Sequence, residues 1–406
     1  MLLVVFVIIG VGLRFLEAKK GSDVPPPTDH ADPSQALVAG NTAFAFDLYQ
    51  AIRESPGNLF YSPYSISLAL AMTYAGARGE TGRQMARTLR FTLPEDVLHP
   101  AFGALSRELA GSTQEGFEVH IVNALWVQTG YLFLPGFVRL LAENYGTTPR
   151  DLDFVRSPGD ACRAINDWVS KETKGRIQDL LPPGSCTSST RMVLTNAVYF
   201  KAAWLFPFDS RLTRDEPFHL LDGKKVMVPM MRQEGWLRYG TYGGCQAIEL
   251  PYQGRGASLV VLLPPVGKFQ VFERGLDAGF FAKVLDSLSS VRVRLLMPKF
   301  SYEAQLFLGG TLARMGMPDA FTPAGADFSG IDGSRNLFLS EVVHKAFVAL
   351  DEAGIEAAAA TAVIATAASP FQPEVVEMRI DRPFIFVIRD NRRGTILFVG
   401  RVLDPR

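Results

Sequence analysis

Glu352-Ala-Gly-Ile-Glu-Ala-Ala-Ala-Ala-Thr-Ala-Val-Ile-Ala-Thr-Ala-Ala-Ser369 is the stretch on which the reading of this chain turns. An apolar run, Val342 to Leu350, precedes it, and beyond Pro370 and Pro373 strand-like runs lead to Ile396–Val402. So much alanine favours helix. Gly354 at the entry, with the β-branched Ile355, Thr361, Val363, Ile364 and Thr366, favours extended chain. In an extended chain Ile355, Ala357, Ala359, Thr361, Val363 and Ala365 share one face, all small or apolar, while Glu356 lies on the other. Such a face fits between two strands of an existing sheet. Taken alone, the stretch reads equally well as an alanine-rich linker.

Four distant blocks decide between the two. Met378-Arg-Ile-Asp-Arg-Pro-Phe-Ile-Phe-Val-Ile388 closely resembles the C-terminal signature of the serpin family. Asn58-Leu-Phe-Tyr-Ser-Pro-Tyr-Ser-Ile-Ser67 resembles the segment leading into that family's long central helix. Leu194-Thr-Asn-Ala-Val-Tyr-Phe-Lys201, followed by Trp204, is similar to the central strand of its large sheet. Phe338-Leu-Ser-Glu-Val-Val-His-Lys-Ala346 is similar to the strand before its reactive loop. The blocks stand in the family's order over residues 38–405. The resemblance implies an α+β serpin fold with three β-sheets, about nine helices and an exposed reactive-centre loop, here about 353–376.

It also implies a function. Inhibitory members open the loop with a Glu, and the residue donating the scissile carbonyl lies sixteen positions on. Glu352 fits the first role, which places the bond at Ala368–Ser369. The protease nucleophile would be held there as an acyl-enzyme while the freed loop inserts as a strand. The implied hinge runs through Glu352, Gly354, Ile355, Glu356, Ala357, Ala358, Ala359, Ala360 and Thr361. Four consecutive alanines suit rapid insertion, because they have no rotamers to order. Ile355 departs from the Thr, Ser or Val usual in the family, and the fifteen residues from Ala368 to Pro383 are a long return, so Ala367 and Thr366 remain alternative bond positions. Phe371 would over-lengthen the inserting arm.

The resemblance further assigns Ser62, Ser65, Asn196 and His344 to a shutter that controls opening of the large sheet, and Trp204 and Lys299 to the breach where the loop enters. Lys299 is a partner for Glu352. Each shutter residue also reads as a satisfied core polar group, and Trp204 as core packing. The function implied is irreversible suicide-substrate inhibition of serine proteases; the alternative is a non-inhibitory carrier or chaperone. Ala368 after Thr366 and Ala367 suits a target with a small primary pocket, elastase- or subtilisin-like. Segment Asp96–Leu109 carries only Arg107 as a basic residue, so no heparin activation is expected.

Composition agrees without specifying this. The 406 residues are 48% hydrophobic and 20% charged, enough for a large core and far from disorder. A formal net charge of zero argues against nucleic acid as a partner. Cys162, Cys186 and Cys245 are odd in number, lack metal-like spacing and read as isolated thiols. Neither a nucleophile elbow, a zinc-protease helix motif nor a phosphate-binding loop occurs, so no catalytic residue, metal or cofactor is expected. Residues 1–18 form an apolar, signal-like or anchor segment too short to span a bilayer as an ordinary helix. They lack basic residues ahead of the apolar run and a clear small-residue cleavage site. Residues 19–37, with Pro25-Pro26-Pro27, read as a flexible tether, and 38–406 as one monomeric domain. The expected address is extracellular, secreted or held by the N-terminal segment.

Periodicity places helices at Asn41–Arg53, Ser65–Gly76 and Ser157–Thr173. Asp222-Gly223 marks a hairpin between Phe218–Leu221 and Lys225–Val228, and further strands are expected at Ala247–Tyr252, Ser258–Leu263 and Val291–Met297.

Overall fold

One helix with no wet side organises the molecule. Pro63–Tyr74 buries all twelve of its residues, as a helix apolar nearly all round must. The Ser62 hydroxyl caps it, accepting from the Ser65 amide at 3.2 Å, and Pro63 sits in the first turn where a missing N–H is harmless. In a computed structural model, residues 32–111, 117–355 and 374–406 are described. The N-terminal apolar segment, most of the expected tether, and Glu356 to Thr361, Ala368 and Ser369 lie outside the described residues.

Among the described residues there are ten α-helices and two hydrogen-bonded sheets. The six-stranded sheet runs, edge to edge, Phe300–Phe307, Leu339–Leu350, Gly354–Ile355, Met192–Ala203, Phe117–Gln128 and Arg150–Leu152. The nine-stranded sheet contains the C-terminal hairpin Phe384–Asp390 and Ile396–Val402, which packs against the buried helix. The second and third sheets expected from the resemblance are continuous here through one strand, Lys225–Tyr242. Its first part pairs with Arg214–His219, its middle with Ser289–Pro298 and its end with Cys245–Pro251.

The Asp222-Gly223 hairpin forms, Gly223 taking φ +82°, the left-handed backbone that its turn requires. The expected helix at Ser157–Thr173 is Pro158–Glu172. The first helix differs: it starts at Pro33, not Asn41, and takes over the last residues of the expected tether. The reason is local, since Asp32 Oδ1 accepts from the Ser34 amide at 3.0 Å and Pro33 follows the cap. At its other end the expected loop also gives residues to the sheets. Gly354 and Ile355 are strand, Ile355 is buried, and Val376–Arg379 pairs with Ser289–Pro298.

Two cores result. The larger lies between the buried helix and both sheets, with Phe60 stacked on Phe398 at 4.9 Å. The smaller holds Pro158–Glu172 on the opposite face of the six-stranded sheet, over Ala124, Trp126, Val193, Ala197 and Val343.

Arg401 ties the C-terminal strand into the larger core. Its guanidinium donates to the carbonyls of Ser55 (2.6 Å), Gly57 (2.7 Å) and Arg53, and to Glu273 at 2.8 Å, which also accepts from the Tyr49 hydroxyl. Arg401 is only 2% exposed, so removing it leaves a buried carboxylate without its cation. Arg401→Met should cost about 3–5 kcal/mol in the urea-unfolding free energy, and a second change, Glu273→Leu, should restore part of that. A single variant as stable as the parent would show the pair to be dispensable.

Candidate functional site

The pairing of Leu339–Leu350 with Met192–Ala203 contains a seam that closes for most of its length and then parts. The strands run parallel from Leu339 opposite Met192 to Phe347 opposite Tyr199, with one bulge at Ser340 and unbroken register from Glu341 opposite Val193 onwards. Beyond Tyr199 they diverge, and Gly354–Ile355 sits in the gap. Ile355 lies opposite Leu350 on one side and Ala202 on the other, antiparallel to both.

Asp351 makes the reversal that puts it there. Its Oδ1 accepts from the amides of Ala353 (2.8 Å) and Gly354 (3.2 Å), and its own amide donates to the Gly354 carbonyl at 2.9 Å. Gly354 has φ +143°, and a Cβ there would lie 2.0 Å from the Ala202 carbonyl oxygen. Only glycine fits.

Around the gap stand Trp204, Lys299 and Glu352. Trp204 donates from its indole nitrogen to the Asp351 carbonyl and from its amide to the Ala353 carbonyl, both at 2.9 Å, and stacks on Tyr252 at 4.8 Å. Glu352 binds Lys299 Nζ at 2.9 Å and the Thr213 hydroxyl at 2.8 Å. Burial raises the Glu352 pKa, but Lys299, Glu352's own amide and Thr213 outweigh it, so the carboxyl titrates below its ordinary range. The Glu352 side chain is thus held while the backbone beyond it turns into the sheet.

Partway down the closed seam lies a polar row. His344 stands opposite Asn196, and Asn196 opposite Asn123 on the next strand. Asn196 Nδ2 donates to the Ser65 carbonyl at 3.1 Å, and also contacts the Ser65 hydroxyl and Asn123 Oδ1. Asn196 Oδ1 accepts from His344 Nδ1, which leaves Nε2 to accept from the Ser62 amide at 3.2 Å. This pattern needs a neutral ring with its proton on Nδ1. A second proton would face the Ser62 N–H, and burial already lowers the His344 pKa to about 3. Both ring nitrogens of His344 are therefore engaged, one by Asn196 and the other by the Ser62 amide.

The structure therefore brings Ser62, Ser65, Asn196 and His344 together in one place, and Glu352, Gly354, Ile355, Trp204 and Lys299 in another along the same seam. Sequence reading missed Asn123, Asp351 and Thr213. Asn123 had a usable signal, a lone amide inside Ile121–Trp126. Asp351 and Thr213 had none, because their roles depend on distant backbone. Among the described residues no His, Cys, Asp and Glu cluster suits a metal. The three cysteines are free, with no disulfide between them, and all are buried; Cys162 and Cys186 share the smaller core.

Comparison with known proteins agrees with this geometry. The pattern of the family described as Serpin (serine protease inhibitor) matches residues 39–405. An uncharacterized serpin-like protein of Thermococcus kodakarensis is 41% identical, over 91% of this chain and 86% of its own. The leukocyte elastase inhibitor of Sus scrofa is 39% identical, over 91% of this chain and 100% of its own. The crystal structure of Serpin48 from the insect Tenebrio molitor superposes with a TM-score of 0.82 at 30% identity, covering 93% of this chain and 100% of that one.

These relatives correct one expectation. The extracellular, secreted or anchored address rested on residues 1–18 alone, and the family match begins after them. The elastase inhibitor is matched over its full length by 91% of this chain, so it carries no counterpart to that stretch. The segment also lacks the flanking charge and cleavage site of an export signal, and the address is withdrawn.

The neutral row makes stability depend on pH with a definite sign. The unfolded chain takes up a proton near the ordinary histidine value of 6.5, whereas folded His344 does so only near 3. Stability from this group is complete above pH 6.5 and is lost as pH falls towards 3; the loss should reach about 3 kcal/mol at pH 4. His99, pushed down to about 4 by burial, acts in the same direction. His344→Gln should flatten the urea midpoint between pH 6.5 and 4, and an unchanged slope would contradict a neutral, locked His344.

Proposed function

This chain belongs to the serpin family, a family of protease inhibitors, and we propose that it is an irreversible suicide-substrate inhibitor of serine proteases. One observation carries the proposal: a sheet closed by parallel pairing below and parted above, with the first residue of the proposed inserting segment, Ile355, already seated in the parting.

Continuing that register downwards gives the inserted state. With Ile355 opposite Ala202, each further residue drops one rung, and Ala365 falls opposite Met192, the last rung of that strand. Thr366, Ala367 and Ala368 then extend beyond it. Insertion therefore needs residues 355–365, and a protease joined to Ala368 is drawn to the far end of the sheet. Ile355 packs with the larger core, so Ala357, Ala359, Thr361, Val363 and Ala365 enter on that face. All are small enough for a layer already occupied by the buried helix. The same register puts Thr361 between Asn196 and His344. Its hydroxyl is placed to take over hydrogen bonds that the row loses when the seam opens.

Before cleavage this path is closed by geometry. Val376 pairs with Val293, on a strand that continues through Lys299 into Phe300, and Phe300 pairs with Leu350 at the parted end of the sheet. The segment is thus anchored near one end at both of its termini. Eleven inserted residues reach about 36 Å down the sheet, and the remainder cannot return over that distance. Cutting after Ala368 frees one end. Each new hydrogen bond then contributes about 0.5–1.5 kcal/mol, so the ladder stabilises the product by on the order of ten kcal/mol. That equals the whole stability of many domains.

The roles follow. Glu352 and Lys299 hold the hinge, Gly354 permits the close approach, and Trp204 braces the gap. Ser62, Ser65, Asn196 and His344 set the resistance to opening. Ala357 to Ala360 carry the first rungs. The target has a small apolar primary pocket. The helix Glu95–Gly111 carries Glu95, Asp96 and Glu108 beside Arg107, a charge pattern that gives heparin no basic surface.

An elastase should form a complex stable on a denaturing gel and release a C-terminal peptide beginning at Ser369. Trypsin should do neither, because no Arg or Lys lies between Gly354 and Met378. The opposite preference would overturn the bond assignment.

Thr361→Arg should place a guanidinium between Asn196 and His344, at a cost of several kcal/mol. The variant should fold normally and be cleaved without trapping the protease. In the parent, nicking near Ala368 should raise the melting midpoint by on the order of tens of degrees, since one or two kcal/mol shifts a domain of this size by only a few. An unchanged midpoint after nicking would remove the insertion mechanism.

A further inference from the structure

The long strand Lys225–Tyr242 presents a tryptophan to solvent. Trp236 is 59% exposed, although Val228, Met230, Met231 and Leu237 of the same strand are buried. The outward residues alternate as Arg232, Glu234, Trp236 and Arg238. Register sets Glu234 opposite Arg294, Trp236 opposite Arg292 and Arg238 opposite Ser290 of the neighbouring strand. Trp236 thus stands among arginines that outnumber their carboxylates. Arg292 and Arg294 share Glu234, at 2.8 and 3.0 Å. Arg232 and Arg379 share Glu216, and Arg379 also reaches Asp381 at 3.0 Å. Beside Trp236 the face opens into a cleft of about 520 Å³, whose lining includes Arg238, Glu249, Arg255 and Arg389. Glu249 is already engaged by Arg238 and by the Ser258 hydroxyl. Arg389 Nε is buried with no hydrogen-bond partner. A buried cationic donor without an acceptor is costly, and a carboxylate entering from outside would satisfy it.

This face lies where the reactive segment leaves the sheet. Val376 stands opposite Val293, so continuing the register puts Val375 level with Arg292 and, one strand further, with Trp236. Neighbouring strands are about 4.8 Å apart, which places Trp236 about 10 Å from the point of departure. Ser369 precedes Val375 by six positions, at most about 22 Å of chain. A protease domain of about 220 residues is about 40 Å across. One that holds the bond Ala368–Ser369 therefore comes within reach of this face.

We propose that Trp236, Arg292 and Arg294, with the cleft beside them, form a second docking surface for the protease that attacks the reactive segment, and that this surface fits an acidic protease face. The proposal rests on the reading of the chain as a protease inhibitor, but docking precedes cleavage and does not depend on insertion. Tryptophan and arginine are the side chains that most often carry binding energy at protein interfaces. The ring contributes apolar area that is already ordered, and the guanidinium groups give paired hydrogen bonds to carboxylates. Surplus positive charge also speeds the encounter with an acidic partner. Two proteases with equal preference for Ala368 would then be told apart by the charge that they present to this face.

The test measures the second-order rate constant at which intact full-length protein is consumed, whether trapped or merely cleaved. The probes are two subtilisins, one of net negative and one of net positive charge, matched on a peptide of residues 360–376, which carries the bond without the face. At about 20 mM salt the acidic enzyme should consume the protein about tenfold faster than the basic one, and about 0.5 M salt should erase the difference. Trp236→Ala should slow the acidic enzyme about tenfold. Arg292→Ala with Arg294→Ala should slow it as much and remove its salt dependence. The melting midpoint and the partition between trapped and cleaved protein should not change in either variant. Leu132→Ala, at an 87% exposed position after Phe117–Gln128 in the other sheet, should keep the parent's rate. Equal constants for parent and variants, or a preference for the basic enzyme, overturn the proposal. A dimer in sedimentation that Trp236→Ala dissolves assigns the face to a second copy and overturns it equally. Cleavage without trapping defeats the inhibitory reading, while the rate constants still decide the docking surface.

Discussion

The parallel pairing of Met192–Tyr199 with Leu339–Phe347 is the constraint on which this molecule depends. It is the weaker of the two kinds of strand pairing, and it joins strands far apart in sequence. A row, Asn123–Asn196–His344, with Asn196 and His344 fully buried, crosses it and bonds downwards to the central helix through Ser62 and Ser65. The row closes the sheet with polar groups that are satisfied only in register. An apolar layer at that position would slide or part gradually; hydrogen bonds of fixed geometry release together.

The upper end is set in the opposite manner. Asp351, Gly354 and Trp204 reverse the chain and hold Ile355 between Leu350 and Ala202. The Glu352–Lys299 pair contributes little by itself, since it is partly exposed and screened. Its value is positional: it fixes the side chain from which the segment departs. Ile355, larger than the residue usual at this place in the family, is already accommodated in the larger core.

The two faces of the six-stranded sheet are covered differently. One meets the buried helix and the larger core, and the other meets Pro158–Glu172 and the smaller core. On the proposed mechanism a new strand would have to fit beneath both covers.

Much of this was legible in the residues themselves. The nearly all-apolar segment from Ser65 forms a buried helix and Asp222-Gly223 forms its hairpin, because side-chain period and turn chemistry are local properties. Ser62, Ser65, Asn196, His344 and Trp204 fall within the blocks that resemble the family, and Lys299 outside them; the structure groups the first four in one row and the last two around the gap. What local chemistry could not supply was register. That Ile355 sits opposite Ala202, that Asn123 completes the polar row and that Asp351 turns the chain all depend on which strand lies beside which. Those pairings are settled only when two sheets and a helix share one core, since a one-residue shift in any strand would turn its entire buried face outwards.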